Sequence, residues 1–212
     1  MRSPSLSRGD RNTGDRARAC LAGVVLAGGE SRRMGRSKAD LPHPDGGTLG
    51  ESAARRLATV CSRVVFAGRP ASHLSSGWDW VEDGPGRGPA AGILGAAREL
   101  PGSPLLVLAC DLPNVSSEVL GALAASGADW ALPEIGTRLE PLAALYRPRA
   151  LTELARLVAS GVFALHRLRR AGELAIELFN EARLLPFGEP SDLLINLNTP
   201  GDLARWRASL EA

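Results

Sequence analysis

Short apolar runs that stop abruptly at glycine or aspartate constrain this chain more than any other feature. Gly23-Val24-Val25-Leu26-Ala27 ends at Gly28-Gly29, and Leu105-Leu106-Val107-Leu108-Ala109 ends at Cys110-Asp111. A five-residue run without polar alternation reads as a strand buried on both faces, the pattern of a parallel sheet covered by helices. Residues 21–26, 63–67, 78–81 and 105–109 are predicted as strands of this kind, with 128–132 and 141–146 as two more. Helical spacing fills the gaps. It predicts helices over 48–60, over 90–100 with Pro89 in the first turn, and from a Ser116 or Ser117 cap to Ala125. Further helices are expected over 150–159, about 163–170 and 200–209, with a last strand near 193–195. This alternation gives an α/β fold, three layers with a mostly parallel central sheet, whose strand order the sequence leaves open.

The first strand delivers the most unusual charge in the chain. Lys38 is the only lysine among 25 Lys and Arg residues. Lysine offers a compact point charge on a flexible stem where arginine offers a planar fork. Lys38 follows Gly28-Gly29-Glu30-Ser31-Arg32-Arg33-Met34-Gly35-Arg36-Ser37. Paired glycines allow positive φ and close approach to the backbone, and successive N–H groups in such a turn make an anion-binding nest. Arg32, Arg33, Arg36 and Lys38 surround that nest with positive charge, a combination suited to a triphosphate. The spacing is neither that of a P-loop nor that of a dinucleotide fingerprint. In parallel sheets ligands bind beyond the carboxyl ends of strands. The Gly28 loop, Asp83 and Asp111 all fall at such ends.

The pattern Leu26-Ala27-Gly28-Gly29-x-Ser31-x-Arg33-Met34-Gly35-x-x-Lys38 resembles the signature of nucleotidyltransferases with a Rossmann-like fold, and among them it is most similar to molybdenum cofactor guanylyltransferases. Glu82-Asp83, Gly88-Pro89-Ala90-Ala91-Gly92-Ile93, Cys110-Asp111-Leu112-Pro113, Glu140-Pro141-Leu142 and Asn196-Leu197-Asn198-Thr199-Pro200 extend the likeness in the expected order. The resemblance implies GTP and molybdopterin as substrates and Mg2+ as cofactor. It implies nucleotide contacts from Leu26, Ala27, Gly28, Gly29, Lys38, Asp83 and Asp111, a metal role for Asp111, and catalytic roles for Lys38, Arg33 and Asp111. It implies that Asn196 and Asn198 face the pterin-bearing substrate, and passing contact with proteins that donate or receive the cofactor. Phe66-Ala67-Gly68-Arg69 stands where relatives often carry an asparagine, so one nucleotide contact differs.

Each of these residues has a plainer reading. Asp111, with Pro113 and serines beyond it, could be a cap or turn residue, and Asp83 a turn residue before Gly84. Asn196 and Asn198 could cap the helix that starts at Pro200. Arg167, Arg169 and Arg170 could meet the second substrate's phosphate or form a solvated face. A cytidylyltransferase, another small-molecule nucleotidyltransferase, and a non-catalytic nucleotide-binding protein are the rival functions.

Composition narrows the field. At 212 residues, 44% hydrophobic and 23% charged, the chain is long enough for one sizeable domain with an ordinary core. A formal charge of +2 argues against a nucleic-acid partner. No stretch approaches the ~20 apolar residues of a membrane span. Cys20, Cys61 and Cys110 have no metal spacing and read as reduced thiols of a cytoplasmic protein. His43, His73 and His166 suggest no ligand set. Residues 1–20 are polar and basic and are expected to be a disordered extension, with 21–212 as the nucleotidyltransferase domain.

Overall fold

The computed structural model describes residues 21–27, 37–44, 46–68 and 77–210. Among the described residues one sheet holds β1 (Ala22–Leu26), β2 (Arg63–Ala67), β3 (Asp79–Val81), β4 (Leu105–Ala109), β5 (Trp130–Ile135), β6 (Arg138–Leu139), β7 (Ala143–Tyr146) and β8 (Ile176–Phe179). Their order is β3-β2-β1-β4-β7-β5-β6, with β8 paired to β5. β3, β2, β1 and β4 are mutually parallel, β7 runs against β4 and β5, and β8 is parallel to β5. The chain steps from β1 outward to β2 and β3, then returns to the other side of β1 for β4. That reversal makes the β1–β4 boundary the switch point of the sheet, the place where such folds open a crevice.

The helices are α1 (Leu49–Ala58), α2 (Pro89–Glu99), α3 (Ser117–Ala124), α4 (Pro148–Ala159), α5 (Glu181–Leu184), α6 (Pro190–Leu193) and α7 (Pro200–Leu210). A Cβ at Gly23 would meet Leu57 of α1 at 3.0 Å, whereas a Cβ at Gly92 of α2 would meet Leu26 at the same distance. Positions 23 and 26 point to opposite faces of a strand, so α1 and α2 cover opposite faces and the architecture has three layers. Val24, Val25, Leu105, Leu106, Val107 and Leu108 are fully buried between them. At α2 the fit is tight enough to demand glycine: a Cβ at Gly95 would overlap the Glu82 carbonyl oxygen, and the Gly84 N–H donates to Ala91 O at 2.8 Å. This backbone-to-backbone contact fixes Glu82-Asp83-Gly84 against the helix.

The strands expected over 63–67 and 105–109 have those bounds. Four segments differ. The strand expected near 193–195 is instead the end of α6, because Pro190 starts a helical turn whose Leu193 and Leu194 pack inward. Residues 163–170 form a 3-10 turn over Leu165–Arg170, where Arg167 N–H reaches back only to Ala164 O. β6 and β8 were not anticipated. β6 is two residues long, and Ile176, Glu177 and Leu178 of β8 are only partly buried, so neither shows a buried-strand pattern.

A second, smaller core lies beside the main one. Leu41, Leu49, Leu197, Leu203 and Trp206 form it, with Ile195 packed against it. Each leucine fully buried there contributes about 1.5–3 kcal/mol. Leu41 follows the short 3-10 turn Lys38–Asp40, and Leu197 lies between Asn196 and Asn198. Burying those two leucines together brings the neighbourhood of Lys38 against the carboxyl-terminal segment. Backbone bonds fix the arrangement: Leu49 N–H donates to Leu41 O at 2.8 Å, and Leu197 N–H donates to Asp111 O at 2.9 Å. The indole N–H of Trp206 donates to Asn114 Oδ1 at 2.8 Å, which ties α7 to the loop after β4. Among the described residues no helix is long and apolar enough to cross a membrane.

Candidate active site

β1 and β4 end in register, Leu26 opposite Ala109, and Cys110 N–H donates to Leu26 O at 3.2 Å. The residues that follow each strand therefore emerge side by side. Asp111 is the first polar side chain beyond β4. Its Oδ2 accepts a 2.7 Å ion-paired hydrogen bond from Lys38 Nζ, with the two side chains 15% and 18% exposed. Lys38 Nζ also donates to Asn198 Oδ1 at 3.0 Å. Three residues separated by 73 and 160 positions in sequence thus meet at the switch point. The other carboxylate oxygen, Asp111 Oδ1, is buried with no hydrogen-bond partner among the described residues, and so is Asn196 Oδ1. A buried anionic oxygen without a donor is costly unless something positive completes it.

The capping alternatives fail on geometry. α3 is capped by Ser116, whose Oγ accepts from Val119 N–H, so Asp111 is not its cap. α7 is opened by Thr199 and Asp202: Thr199 Oγ1 accepts from Asp202 N–H, and Asp202 Oδ2 accepts from the N–H groups of Asn198 and Thr199. Neither asparagine side chain caps α7. Asn198 N–H donates to Asn196 O at 3.1 Å, which bends 196–198 into a three-residue turn, so simple strand alternation does not apply there. Asn198 is exposed toward Lys38, and Asn196 is half-buried.

Asp83 follows β3 on the same edge of the sheet but is exposed, with β2 and β1 between its strand and β4. It makes no hydrogen bond to Lys38 or Asp111. Leu26 and Ala27 are buried, so any ligand contact from them is through backbone. Gly28, Gly29 and Arg33 lie outside the described residues, as do residues 1–20. Cys61 and Cys110 are buried. Burial, then the Asp111 charge, pushes the Cys110 thiol far above its ordinary value, so it stays protonated and is no nucleophile.

Two neighbours of Asp111 had no clear role in the sequence. Arg56 of α1 donates through Nη1 to Pro113 O at 2.8 Å, Val115 O at 2.5 Å and Leu112 O at 3.4 Å, and so holds the loop that presents Asp111. No sequence pattern announces a side chain that binds carbonyls more than fifty residues away. Glu140 precedes β7, whose start lies beside the end of β4 because Ala109 N–H donates to Leu142 O. It is buried, its Oε1 accepts from Leu142 N–H at 3.2 Å, and Arg138 approaches its Oε2 at 3.8 Å. Desolvation is the main cause that lifts its pKa above the ordinary carboxylate value. The Leu142 N–H and Arg138 oppose the shift, and the Asp111 charge adds to it.

A carboxyl whose folded pKa is raised contributes stability that is complete below its unfolded pKa, about 4.3, and lost as pH rises through the folded pKa. Glu140→Gln keeps an acceptor for Leu142 N–H and removes that loss. The variant is expected to melt higher than the parent at pH 7 and to lose the advantage toward pH 4. Each kcal/mol amounts to about 2–4 °C in a chain of this size. Melting curves from pH 4 to 8 decide, and an advantage that grows toward low pH contradicts the burial argument.

The chain is 37% identical over 195 residues to a probable molybdenum cofactor guanylyltransferase of Mycobacterium avium (strain 104), covering 86% of this chain and 93% of that one. A protein of the same name from Pelotomaculum thermopropionicum is 33% identical over 201 residues, covering 89% and 93%. The crystal structure of molybdopterin-guanine dinucleotide biosynthesis protein A from Archaeoglobus fulgidus superimposes with a TM-score of 0.74 at 27% identity, covering 90% of this chain and 98% of that one. With residues 23–175 also matched by the model of the MobA-like NTP transferase domain, the chain belongs to that nucleotidyltransferase family.

Proposed function

We propose that this enzyme transfers GMP from GTP to molybdopterin and releases pyrophosphate. The observation that carries the reading is the meeting of Lys38, Asp111 and Asn198 at the β1–β4 switch point of a nucleotidyltransferase fold. A phosphate oxygen of molybdopterin attacks the α-phosphorus of GTP in line; the new P–O bond forms as the bond to the β-phosphate bridging oxygen breaks. The attacking phosphate is already anionic, so no general base is required. Such transfers depend on positioning and on neutralising charge.

Lys38 Nζ, held between Asp111 and Asn198, would exchange those partners for triphosphate oxygens and follow charge onto the leaving pyrophosphate. Gly28, Gly29 and the backbone of Leu26 and Ala27 would cradle the phosphates, Arg33 would add positive charge, and Asp83 would contact the nucleoside. Asn196 and Asn198 would face the acceptor. Asp111 suits Mg2+: its buried Oδ1 has no donor among the described residues, and magnesium is commonly held by one or two carboxylates together with substrate phosphates. When bound, the ion would supply Lewis acidity toward the triphosphate. The cytoplasm, where GTP is plentiful, is the expected location.

Incubation with molybdopterin, Mg2+ and all four nucleoside triphosphates in one tube tests the assignment, with products identified by mass. The guanine dinucleotide is expected to dominate. Preferred formation of the cytosine dinucleotide would make the enzyme a cytidylyltransferase, and no pyrophosphate release with any nucleotide would leave a binding protein.

A further inference from the structure

Both halves of the reacting centre are attached to one helix. At its start, α1 meets the turn that carries Lys38. Thr48 caps the helix in a reciprocal pair of bonds with Glu51, and it bridges to Pro42. Leu49 N–H donates to Leu41 O at 2.8 Å, and a Cβ at Gly50 would lie 3.2 Å from Ala39 O. The Lys38–Asp40 turn therefore rests directly on the backbone of the helix. Toward its other end, α1 presents Arg56 to the loop that follows β4. Nη1 donates to Pro113 O at 2.8 Å, Val115 O at 2.5 Å and Leu112 O at 3.4 Å. Nε donates to Ser52 O at 3.2 Å within the helix, which fixes the plane of the guanidinium. Roughly 9 Å of helix separates Gly50 from Arg56, at 1.5 Å per residue.

This arrangement sets how Lys38 and Asp111 stand to one another. Lys38 holds Asp111 Oδ2, but Oδ1 is buried without a donor among the described residues. The aim of Oδ1 then depends on the backbone that carries it. That backbone is tied to the carboxyl-terminal segment by Leu197 N–H on Asp111 O and by Trp206 on Asn114, and to α1 by Arg56. With Nε and Nη1 turned to carbonyls, Arg56 acts through the loop and not on a phosphate. We propose that Arg56 is a positioning residue for the metal-binding carboxylate: it holds residues 112–115 so that Asp111 meets Mg2+ and the triphosphate in register with Lys38. The assignment rests on the function proposed above. Misplacing a reacting group by about 1 Å costs on the order of 100-fold in rate.

The test compares Arg56→Met, which keeps an unbranched stem without donors, with Arg56→Lys, which keeps the charge without the fork. GTP binding to the full chain is measured by equilibrium dialysis with and without Mg2+ and with no acceptor. Turnover with varied GTP and melting curves are measured beside it. Arg56→Met is expected to shrink the Mg2+-dependent gain in GTP affinity at least ~10-fold and to lower kcat by a similar factor. GTP binding without Mg2+ should stay as in the parent, and Arg56→Lys should recover part of the loss. Added to Asp111→Asn, Arg56→Met should cost almost nothing more, because both act through one carboxylate. A purely structural arginine gives another pattern: a lower melting temperature, an unaltered Mg2+ gain, and losses that multiply in the double variant. An unaltered gain or multiplying losses overturn the proposal, as does a parent whose GTP affinity ignores Mg2+. Should the methionine variant fail to fold, Arg56→Lys is read by the same measures, with a smaller loss expected. A parent whose Mg2+ gain depends on Arg56 and Asp111, yet which transfers no GMP to molybdopterin, supports the positioning role and overturns the transferase reading alone.

Discussion

Asp111→Asn is expected to lower GTP-dependent transfer by at least ~100-fold, the scale of losing one strong electrostatic contact in a reacting site. The substitution keeps size and one carbonyl acceptor for Lys38 Nζ, now 2.7 Å from Oδ2. It removes the charge from the buried Oδ1, the oxygen without a donor among the described residues. An amide oxygen is a poorer ligand for a hard cation than a carboxylate. Stability should fall little. Breaking a fully buried ion pair costs ~3–5 kcal/mol, but both partners here keep some contact with water and Asn198 still accepts from Lys38. A melting temperature within about 4 °C of the parent is expected. Three readouts separate the possibilities: melting, GTP binding with and without Mg2+, and turnover against Mg2+ concentration. The gain in GTP affinity on adding Mg2+ should shrink and turnover should collapse. Normal turnover at limiting Mg2+ would remove Asp111 from the mechanism and reduce its carboxylate to a partner for Lys38.

Lys38→Arg is expected to cost a similar factor, at least ~100-fold in rate, although it conserves charge. The ammonium donates to Asp111 and Asn198 in a space only 18% open to solvent. A guanidinium is larger, planar and less able to turn among successive partners. It can pair with Asp111 in a two-pronged bond that outlasts the arrival of a triphosphate. The ground-state pair would then compete with catalysis, so kcat should fall more than GTP affinity. Stability should be close to normal, because the carboxylate keeps a cationic neighbour. Steady-state kinetics with varied GTP, set beside a melting curve, test this. Near-normal kinetics would show that any fixed positive charge suffices at this point.

The strands beneath the site were legible because they are buried on both faces. Arg63–Ala67 and Leu105–Ala109 are apolar almost without interruption, and water excluded from both sides leaves no freedom in how such runs are used. Strands and helices at the margin were less legible. Ile176–Phe179 is partly exposed, Arg138–Leu139 is too short to show a period, and Leu193-Leu194 is apolar enough for either a strand or the end of a helix. There the outcome depends on a preceding proline or on an available strand edge, neither of which a hydrophobic pattern records.

For the candidate site, the sequence by itself determined which groups are on offer. A single lysine follows paired glycines, an aspartate ends a buried strand, and asparagines flank a leucine. Each is set by local chemistry: strand length, glycine's freedom, and the placing of a charge just beyond an apolar run. Tertiary structure alone decided which of them meet. Lys38 reaches Asn198 across 160 positions because Leu41 and Leu197 are buried in one small core with Trp206. Asp111 is left to meet Lys38 because Ser116 caps α3, the helix it might have capped, and because Arg56 holds its loop. The arginines beside β6 surround a cavity only once β5 and its hairpin fold against 165–170. Local pattern is written along the chain because backbone geometry repeats every two or 3.6 residues. Contacts between distant segments follow from which apolar surfaces find one another, and that is settled only when the whole core packs.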